Sequence, residues 1–415
     1  MKYFCKCGKI IFLDSVLLTV YTFPMTFSSD ITILCKVVDN YGDIGFVYRL
    51  ARALSALRPG IAVRIVADNL PSFALLAPGL DVHVPVQQYG GWTVYDWNAA
   101  DVCTSSFSSV PPRTILECFQ CGYPEWLETL LFTAKRGDCI HVINIDYLTA
   151  EQYADDFHCL ASLTRSASVR KVNFMPGFTP HTGGLVLDGP FASAAPASYA
   201  AEHADAAVRM LLAGTQPDFR VLVFSYERDF APIVQALAEF ERDRRRTEPA
   251  FRLRVFAAAG RGKPSFTEAW SNAGKPFAVT ELPFLSQTEW DSLLCSVSFS
   301  FVRGEDSLSR ACLAGIPFVW HAYPQDDEYQ QVKVQALLDR MKPFFGNDDA
   351  ALIETYWRSY NVSSPGETKE EQAAMQYALL ERSERLRAGF SSFAAMLRRN
   401  GDFALALLQY IDGLI

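Results

Sequence analysis

Two aspartates at the end of an apolar run are the first residues of this sequence whose type and spacing suit chemistry. The apolar run at residues 31–38 is followed by Asp39 and then by Asp43, and two glycines, Gly42 and Gly45, lie close to these acids. Glycine lets backbone approach a ligand or a neighbouring strand closely, while a carboxylate at such a turn accepts a proton or orients a cation. The stretch at residues 39–45 therefore predicts a reaction site.

A second candidate site is the segment at residues 303–307, which reads Arg-Gly-Glu-Asp-Ser. It joins an apolar run to a predicted helix that reaches Leu313. Free backbone N–H groups at the start of such a helix form an anion pocket suited to a diphosphate, and Arg303 would add a forked donor. The same segment also fits an ordinary helix cap, because Asp306 and Ser307 are good capping residues.

Aromatic residues at or near strand ends in the same half of the chain could stack on a flat base or sugar. They are Phe224, Tyr226, Phe284 and Trp290. For any one of them, spacing alone favours ordinary core packing.

The elements that must position these residues alternate between strand and helix. Apolar runs that predict strands lie at residues 31–38, 61–67, 101–103, 114–119 and 139–145, with a short extended piece at residues 80–86. The pattern breaks between residues 170 and 200, and runs resume at residues 219–224, 251–258, 277–282, 295–302 and 316–320. Such alternation predicts parallel sheets covered by helices on both faces. The two halves therefore read as two doubly wound α/β units, followed from residue 350 by amphipathic helices.

Length and composition fit this division and exclude some classes of partner. A chain of 415 residues predicts about two domains, and 50% hydrophobic with 20% charged residues supports ample burial. A net charge of −8 disfavours nucleic acid as a partner, since phosphate backbones need a basic face.

The first 28 residues have a different character from the rest of the chain. They loosely imitate a signal peptide, but Asp14 interrupts the apolar region and Met25 stands just before the first convincing strand. We expect a start codon assigned upstream of the true one. No other stretch is long and apolar enough to span a membrane, so the sequence predicts a cytoplasmic protein without membrane contact.

Several familiar motifs are missing from the sequence. There is no GxGxxG after the first strand, which disfavours a nicotinamide enzyme, and there is no P-loop and no Gly-x-Ser-x-Gly elbow. The six histidines are dispersed and no HExxH is present, so no histidine metal cluster is predicted. Ten scattered cysteines favour buried thiols in a reducing compartment. The lone CxxC at Cys118 and Cys121 leaves a metal or redox role as a minor alternative.

Two doubly wound halves, with a carboxylate at the first turn of one and an anion pocket in the other, suggest a two-domain glycosyltransferase. Several motifs, in the same order along the chain, resemble the EarP family of protein-arginine rhamnosyltransferases, which modify elongation factor P. They are residues 39–45 with residues 49–52, residues 303–307, residues 317–321 and residues 323–326, with shorter matches at residues 145–151 and 183–185. The resemblance runs from about residue 31 to residue 340.

The resemblance implies the fold, the reaction and the catalytic residues. The fold would be GT-B, with two Rossmann-like domains facing across a cleft, and the reaction an inverting, metal-independent transfer from dTDP-β-L-rhamnose without a cofactor. The family's catalytic aspartate falls on Asp43, its companion acid on Asp39 and its second essential acid on Glu305. A guanidinium stays protonated in water, so a carboxylate aimed at it would orient it and accept a proton as the C–N bond forms.

Donor contacts are also expected from the resemblance. Thymine and ribose contacts carry over to Phe224, Tyr226, Phe284, Gln287 and Trp290, and diphosphate contacts to Arg303, Asp306 and Ser307. Further donor contacts are expected at Asn40, Tyr41, Gly42 and Gly304. The sequence departs from the family pattern at Tyr48, Ser225 and Trp290, where Trp, Gly and Phe are expected.

We therefore expect an extension at residues 1–28 outside the fold, an acceptor domain at residues 29–190 and a nucleotide-sugar domain at residues 200–380. The helices at residues 381–415 would pack back on the first domain. Two alternatives remain open from the residues themselves: a GT-B enzyme with another deoxysugar or acceptor, and a non-catalytic nucleotide-binding module. A nucleotide-sugar hydrolysis assay separates an enzyme from a binder.

Overall fold

A computed structural model of the chain describes residues 30–38, 41–132, 139–213 and 219–414. The predicted extension at residues 1–28 and two predicted site residues, Asp39 and Asn40, lie outside the described residues.

The first half of the chain forms an eight-stranded sheet. Its strands are β1 Asp30–Cys35, β2 Ala62–Ala67, β3 Val86–Tyr89, β4 Trp92–Asp96, β5 Thr114–Cys118, β6 Ile140–Ile145, β7 Ala161–Ser162 and β8 Val169–Asn173. They lie in the order β3-β4-β2-β1-β5-β6-β8-β7. Pairing is parallel except at the two edges, β3 with β4 and β7 with β8. The apolar run of β1 lies near the middle, where helices cover both faces and bury it.

The second half forms a five-stranded parallel sheet. Its strands are β9 Phe219–Val223, β10 Leu253–Ala257, β11 Ala278–Glu281, β12 Phe299–Arg303 and β13 Phe318–His321, in the order β11-β10-β9-β12-β13. As in other open α/β sheets, the strand ends lead into loops that can hold a ligand.

Helices cover both sheets. Those of the first half are α1 Gly42–Leu57, α2 Leu70–Leu76, α3 Ala100–Ser109, α4 Glu125–Phe132 and α5 Tyr153–Phe157. Helices α6 Pro196–His203 and α7 Ala206–Leu212 lead to the second half, which carries α8 Ala231–Thr247, α9 Lys263–Asn272, α10 Gln287–Leu294, α11 Gly304–Ala314, α12 Gln330–Met341, α13 Asn347–Tyr360, α14 Lys369–Glu381 and α15 Ser383–Asn400. No helix in the described part of the chain has the length and apolar character needed to cross a bilayer.

The last helix, α16 Phe403–Asp412, returns to the first half of the molecule. Its side chains Phe403, Leu407 and Ile411 are fully buried in the same core as β1 and α1. An ion pair of 2.5 Å between Arg58 and Asp412 joins the ends of α1 and α16. The chain therefore crosses between the two halves twice.

The structure corrects three predicted strands. The predicted strand at residues 101–103 is wrong, because these residues lie in α3, where Cys103 and Phe107 share the buried face. The extended piece at residues 80–86 enters a strand only at Val86, and β3 and β4 form a hairpin around Gly90 and Gly91. The strand predicted at residues 295–302 begins only at Phe299, because α10 runs to Leu294 and Cys295 forms its C-terminal cap.

Candidate active site

A cleft between the two halves contains two adjoining chambers. The first has an empty volume of about 920 Å³ and the second about 580 Å³, counted to their open mouths. Both sizes are in the range of small-molecule sites. Gly42, Arg49, Glu305 and Asp306 line both chambers, so a ligand in one would meet a ligand in the other at these residues.

The first chamber collects every described residue that the sequence predicted for the donor. They are Tyr41, Gly42, Phe224, Tyr226, Phe284, Gln287, Trp290, Arg303, Gly304, Asp306 and Ser307. The predicted catalytic Glu305 lines it as well. These residues come from both halves of the chain, and their roles stay predictions.

Asp43 lies in the first turn of α1 and lines the second chamber. It is 2% exposed. One carboxylate oxygen, Oδ2, accepts a hydrogen bond of 2.7 Å from the backbone N–H of Val38, in the loop that follows β1. The loop that follows β1 therefore fixes the direction of this carboxylate, which suits a group that must meet a substrate in one orientation.

The turn from β12 into α11 forms the opposite wall of the cleft. Gly304 has a φ of +60°, a left-handed conformation that glycine adopts freely. The Ser307 hydroxyl accepts a hydrogen bond of 3.1 Å from the backbone N–H of Arg303 and also contacts its carbonyl oxygen. The Trp320 indole donates to the Gly304 carbonyl at 2.9 Å. This fixed turn presents the N-terminus of α11 to the first chamber.

Aromatic rings hold the Arg303 side chain at the same wall. The carbon at the centre of its guanidinium lies 4.5 Å from the ring centroid of Phe224 and 4.7 Å from that of Tyr226. Trp290 packs edge-on against Phe224 at 4.8 Å. Across the cleft, Tyr41 packs edge-on against Phe284 at 5.4 Å. The first chamber thus offers flat apolar surfaces close to a positively charged fork.

A buried histidine supports these rings from below. His321 lies 5.3 Å from the Tyr226 ring, and its Nδ1 is 2.7 Å from the hydroxyl of Ser225, which also bonds to Tyr360. Burial, together with the nearby cations Arg228 and Arg303, lowers the pKa of His321 to about 3. His321 is therefore neutral at physiological pH and acts as a support.

Gln287 occupies a different position from the other predicted base contacts. Its Nε2 donates a hydrogen bond of 2.7 Å to the backbone carbonyl of Gly45 in α1, and its Oε1 lies 3.4 Å from Arg52. Its side chain lines the first chamber while bridging the two halves. The bridge joins the start of α10 to α1.

Sequence reasoning missed three residues of the second chamber: Phe119, Asp146 and Tyr147. The rings of Phe119 and Tyr147 stack with centroids 4.4 Å apart. Asp146 accepts hydrogen bonds from the backbone N–H of Tyr147 and from Gln120. A flat cation such as a guanidinium packs well against aromatic rings and pairs with carboxylates. The missed signal is that residues 119 and 146 follow directly on two neighbouring strands, β5 and β6.

Sequence reasoning also missed three charged residues packed beside both chambers, Arg49, Asp188 and Asp291, which join the predicted residue Asp306. Arg49 in α1 contacts Asp188, Asp291 and Asp306. Burial disfavours the charge on Arg49, but these three carboxylates raise its pKa well above its usual value. Burial raises the pKa of Asp291 to about 6, against the opposing effect of Arg49. The sequence signal was a charged residue within the apolar face of a helix, which must find partners when buried.

The CxxC motif is the minor alternative for a metal or redox site, and the structure describes both of its cysteines. Both Cys118 and Cys121 are free thiols. Burial, with Glu117 nearby, raises the pKa of Cys121 to about 12, which suppresses the reactive thiolate. Within the described ranges, no group of three or more His, Cys, Asp or Glu side chains is arranged to hold a metal ion. Two further cysteines that are close in sequence, Cys5 and Cys7, lie outside these ranges.

Comparison with known proteins adds independent information. A family model described as "Elongation-Factor P (EF-P) rhamnosyltransferase EarP" matches residues 31–412. The chain is 31% identical over 385 residues to a protein-arginine rhamnosyltransferase of Pseudomonas putida, covering 91% of this chain and 97% of that protein. It is also 31% identical over 343 residues to one from Pseudomonas aeruginosa, covering 80% of this chain and 86% of that protein.

A solved structure described as the structural basis for EarP-mediated arginine glycosylation of translation elongation factor EF-P has a similar fold. Its TM-score is 0.56 at 22% sequence identity, and the match covers 93% of this chain and 99% of that chain. The predicted α/β fold of the GT-B type is confirmed.

Proposed function

Since this chain belongs to the EarP family of elongation factor P rhamnosyltransferases, we propose that it transfers L-rhamnose from dTDP-β-L-rhamnose to an arginine side chain of elongation factor P. The donor, the acceptor and the inversion of the sugar are the specific content of this proposal. Because the acceptor is a translation factor, the reaction would take place in the cytoplasm.

The observation that carries the proposal is the meeting of two chambers of opposite character at one boundary. The first chamber has aromatic rings, Arg303 and the N-terminus of α11, which suit a base, a sugar and a diphosphate. The second has Asp43, Asp146 and two stacked rings, which suit a guanidinium. Gly42 and Glu305 line both chambers, so the anomeric carbon would lie close to them.

In this mechanism, Asp43 orients the acceptor guanidinium and accepts a proton from the attacking nitrogen. A C–N bond forms at the anomeric carbon while the C–O bond to the diphosphate breaks, and the electron pair leaves with dTDP. The nitrogen enters from the second chamber and the diphosphate leaves towards the first, so attack occurs opposite the leaving group and the product is the α-rhamnoside. Asp39 is assigned to support Asp43, and Glu305 to position the sugar or the arginine.

Charge that develops on the departing diphosphate would be stabilised by protein groups. The N–H groups at the start of α11 and the Arg303 guanidinium are fixed before the reaction, which is the condition for effective electrostatic stabilisation. The proposal therefore includes a reaction that needs no metal ion and no cofactor. Transfer that proceeds at the same rate in excess EDTA supports this, and a requirement for added Mg²⁺ or Mn²⁺ contradicts it.

The test is intact-protein mass spectrometry of the organism's own elongation factor P after incubation with this protein and dTDP-rhamnose. The expected result is a gain of one deoxyhexose, located by peptide mapping on a single arginine. Two controls are an elongation factor P with lysine in place of that arginine, and dTDP-glucose as donor. A gain with dTDP-glucose alone would refute the donor, and absence of any gain with donor binding intact would refute the acceptor.

A further inference from the structure

Five charged side chains form a cluster beneath the two chambers. We call it the Arg49 cluster, and its members are Arg49, Asp188, Asp291, Asp306 and Arg310. Both arginines are 1% exposed. Because a buried guanidinium loses its hydration, its charge depends on the carboxylates around it.

Arg49 binds three of these carboxylates at once. It makes a forked pair with Asp291, at 2.7 and 3.2 Å, and its Nη1 also donates to Asp188 at 3.1 Å. The third nitrogen, Nε, donates to Oδ1 of Asp306 at 3.1 Å. Arg310 completes the cluster by donating to Asp188 at 2.8 Å. Removal of Arg49 would therefore break the ion pairs of Asp291 and Asp306, and Arg310 would act on these two carboxylates only at longer range.

The position of Arg49 connects the two walls of the active site. It lies on α1, the helix that carries Asp43, and it lines both chambers. Asp306 lies on α11, directly after Glu305 and in the first turn of that helix. The same face of α1 contacts the second half through the Gly45–Gln287 hydrogen bond of 2.7 Å.

Asp306 poses an electrostatic problem for an anion pocket at this helix end. The N-terminus of α11 attracts an anion, but a carboxylate in the same turn would repel a diphosphate. The side chain of Asp306 keeps 23% of its surface exposed. Its carboxylate is turned onto Arg49, whose positive charge compensates it.

Building on the proposed function, we propose that Arg49 is a positioning residue of the donor site. From the helix that carries Asp43, it holds the Asp306 carboxylate away from the start of α11, so that a diphosphate binds there.

A purely structural role for Arg49 makes a different prediction. Loss of Arg49 leaves buried carboxylates uncompensated and lowers stability in either case, so a melting temperature alone does not decide. A positioning role predicts in addition that donor affinity falls, and that the loss reverses when the Asp306 charge is also removed. A structural role predicts no such reversal.

The test is a double-mutant cycle on the affinity for dTDP, measured by calorimetry on the full chain. The four proteins are the wild type, Arg49→Gln, Asp306→Asn and the double variant. We expect Arg49→Gln to weaken dTDP binding roughly tenfold to a hundredfold, since one unpaired charge then faces the diphosphate. The double variant should bind dTDP at least about fivefold more tightly than Arg49→Gln alone.

A matched control is Arg58→Gln, the same substitution at the C-terminal cap of the same helix, in an ion pair with Asp412 away from the chambers. It should leave dTDP affinity within about twofold of the wild type. Arg49→Lys keeps the charge but loses the fork, and its affinity should lie between those of the wild type and Arg49→Gln. Should Arg49→Gln fail to fold, Arg49→Lys with and without Asp306→Asn answers the same question.

Two results would overturn the inference. One is a folded Arg49→Gln variant with wild-type affinity for dTDP, and the other is a double variant that binds no better than Arg49→Gln. A wild type that binds dTDP without modifying elongation factor P refutes the proposed acceptor, while the cycle still decides the role of Arg49. A wild type that does not bind dTDP overturns both proposals.

Discussion

The replacement of Asp43 by asparagine removes one charge from the active site with the least change in shape. The side chain is 2% exposed, and its Oδ2 accepts a 2.7 Å hydrogen bond from the Val38 N–H. An amide oxygen can accept the same bond, so Asp43→Asn should keep the loop after β1 in place. What it loses is the ability to accept a proton and to attract a guanidinium.

The size of the effect follows from these two losses. General-base catalysis contributes a factor of about 10² to 10⁴ in rate, which corresponds to about 3–5 kcal/mol of the barrier. A hydrogen bond between charged groups adds about 1.5–3 kcal/mol to binding, so the acceptor KM should also rise. Since Asp43 lines the second chamber and not the first, the affinity for dTDP should change by less than about twofold.

The assay is a mass-spectrometric time course of rhamnosyl transfer, with each substrate varied in turn, beside calorimetric titration with dTDP. Asp68→Asn is a matched control, because Asp68 accepts a 2.8 Å hydrogen bond from the neighbouring Val37 N–H. It should lose less than about threefold in kcat, a change within the range of surface substitutions. The reasoning is refuted if Asp43→Asn keeps more than about a tenth of the wild-type kcat, or if it loses donor affinity and catalysis together.

Three further predictions concern the donor half. Arg303→Lys should raise the donor KM roughly tenfold to a hundredfold and leave the acceptor KM unchanged. The reason is that lysine lacks the planar guanidinium that stacks on Phe224 and Tyr226. Initial rates that show no change in donor KM would contradict this prediction. Gly304→Ala should cost about 1–2 kcal/mol of stability in urea unfolding, since φ there is +60°, and an unchanged midpoint would show that the turn is not strained. The pKa of His321 is about 3 in the folded protein and about 6.5 in the unfolded chain. As the pH drops below about 6.5, His321 takes up a proton only in the unfolded chain, so the stability of the fold decreases. Between pH 7 and pH 5 the wild type should therefore lose roughly 2 kcal/mol more than His321→Gln, and equal losses would rule out this titration.

The two turns that form the walls of the cleft could be predicted from sequence because their signals are local. In both, a buried apolar strand is followed by a helix that begins at a glycine and carries an acid in its first turn. Such a turn must face the carboxyl end of a sheet, where ligands bind. Each half of the chain contains one such turn, which places Asp43 on one wall of the cleft and Glu305 on the other.

The hairpin of β3 and β4 shows where a local signal was present but weak. Two glycines, Gly90 and Gly91, separate its strands and both have positive φ, as hairpin turns require. However, β3 is a polar strand at the edge of the sheet, and none of its side chains is buried. A pattern search based on apolar runs passes over such a strand, and it predicts a strand at residues 101–103 instead.

The Arg49 cluster could not be predicted from local sequence at all. Its members lie at positions 49, 188, 291, 306 and 310, and a spacing rule relates only residues 306 and 310, which are four apart on α11. The packing of α1 against α10, α11 and the segment that carries Asp188 brings them together. Helical periodicity indicates that Arg49 lies near the buried face of α1, but the identity of its partners depends on how the two halves dock.

The cleft separates charge in a way that explains how one site can bind a cation and an anion side by side. Acids that line the second chamber, Asp43 and Asp146, face the proposed guanidinium, while Arg303 and the N-terminus of α11 face the proposed diphosphate. Glu305 and Asp306 stand on the boundary, where an uncompensated carboxylate would attract the acceptor and repel the donor. In the structure each has a cation near it: Lys333 lies 3.8 Å from Glu305, and Arg49 lies 3.1 Å from Asp306. Compensation of these boundary acids is therefore what lets a dense group of carboxylates serve the acceptor without weakening the binding of a doubly charged donor.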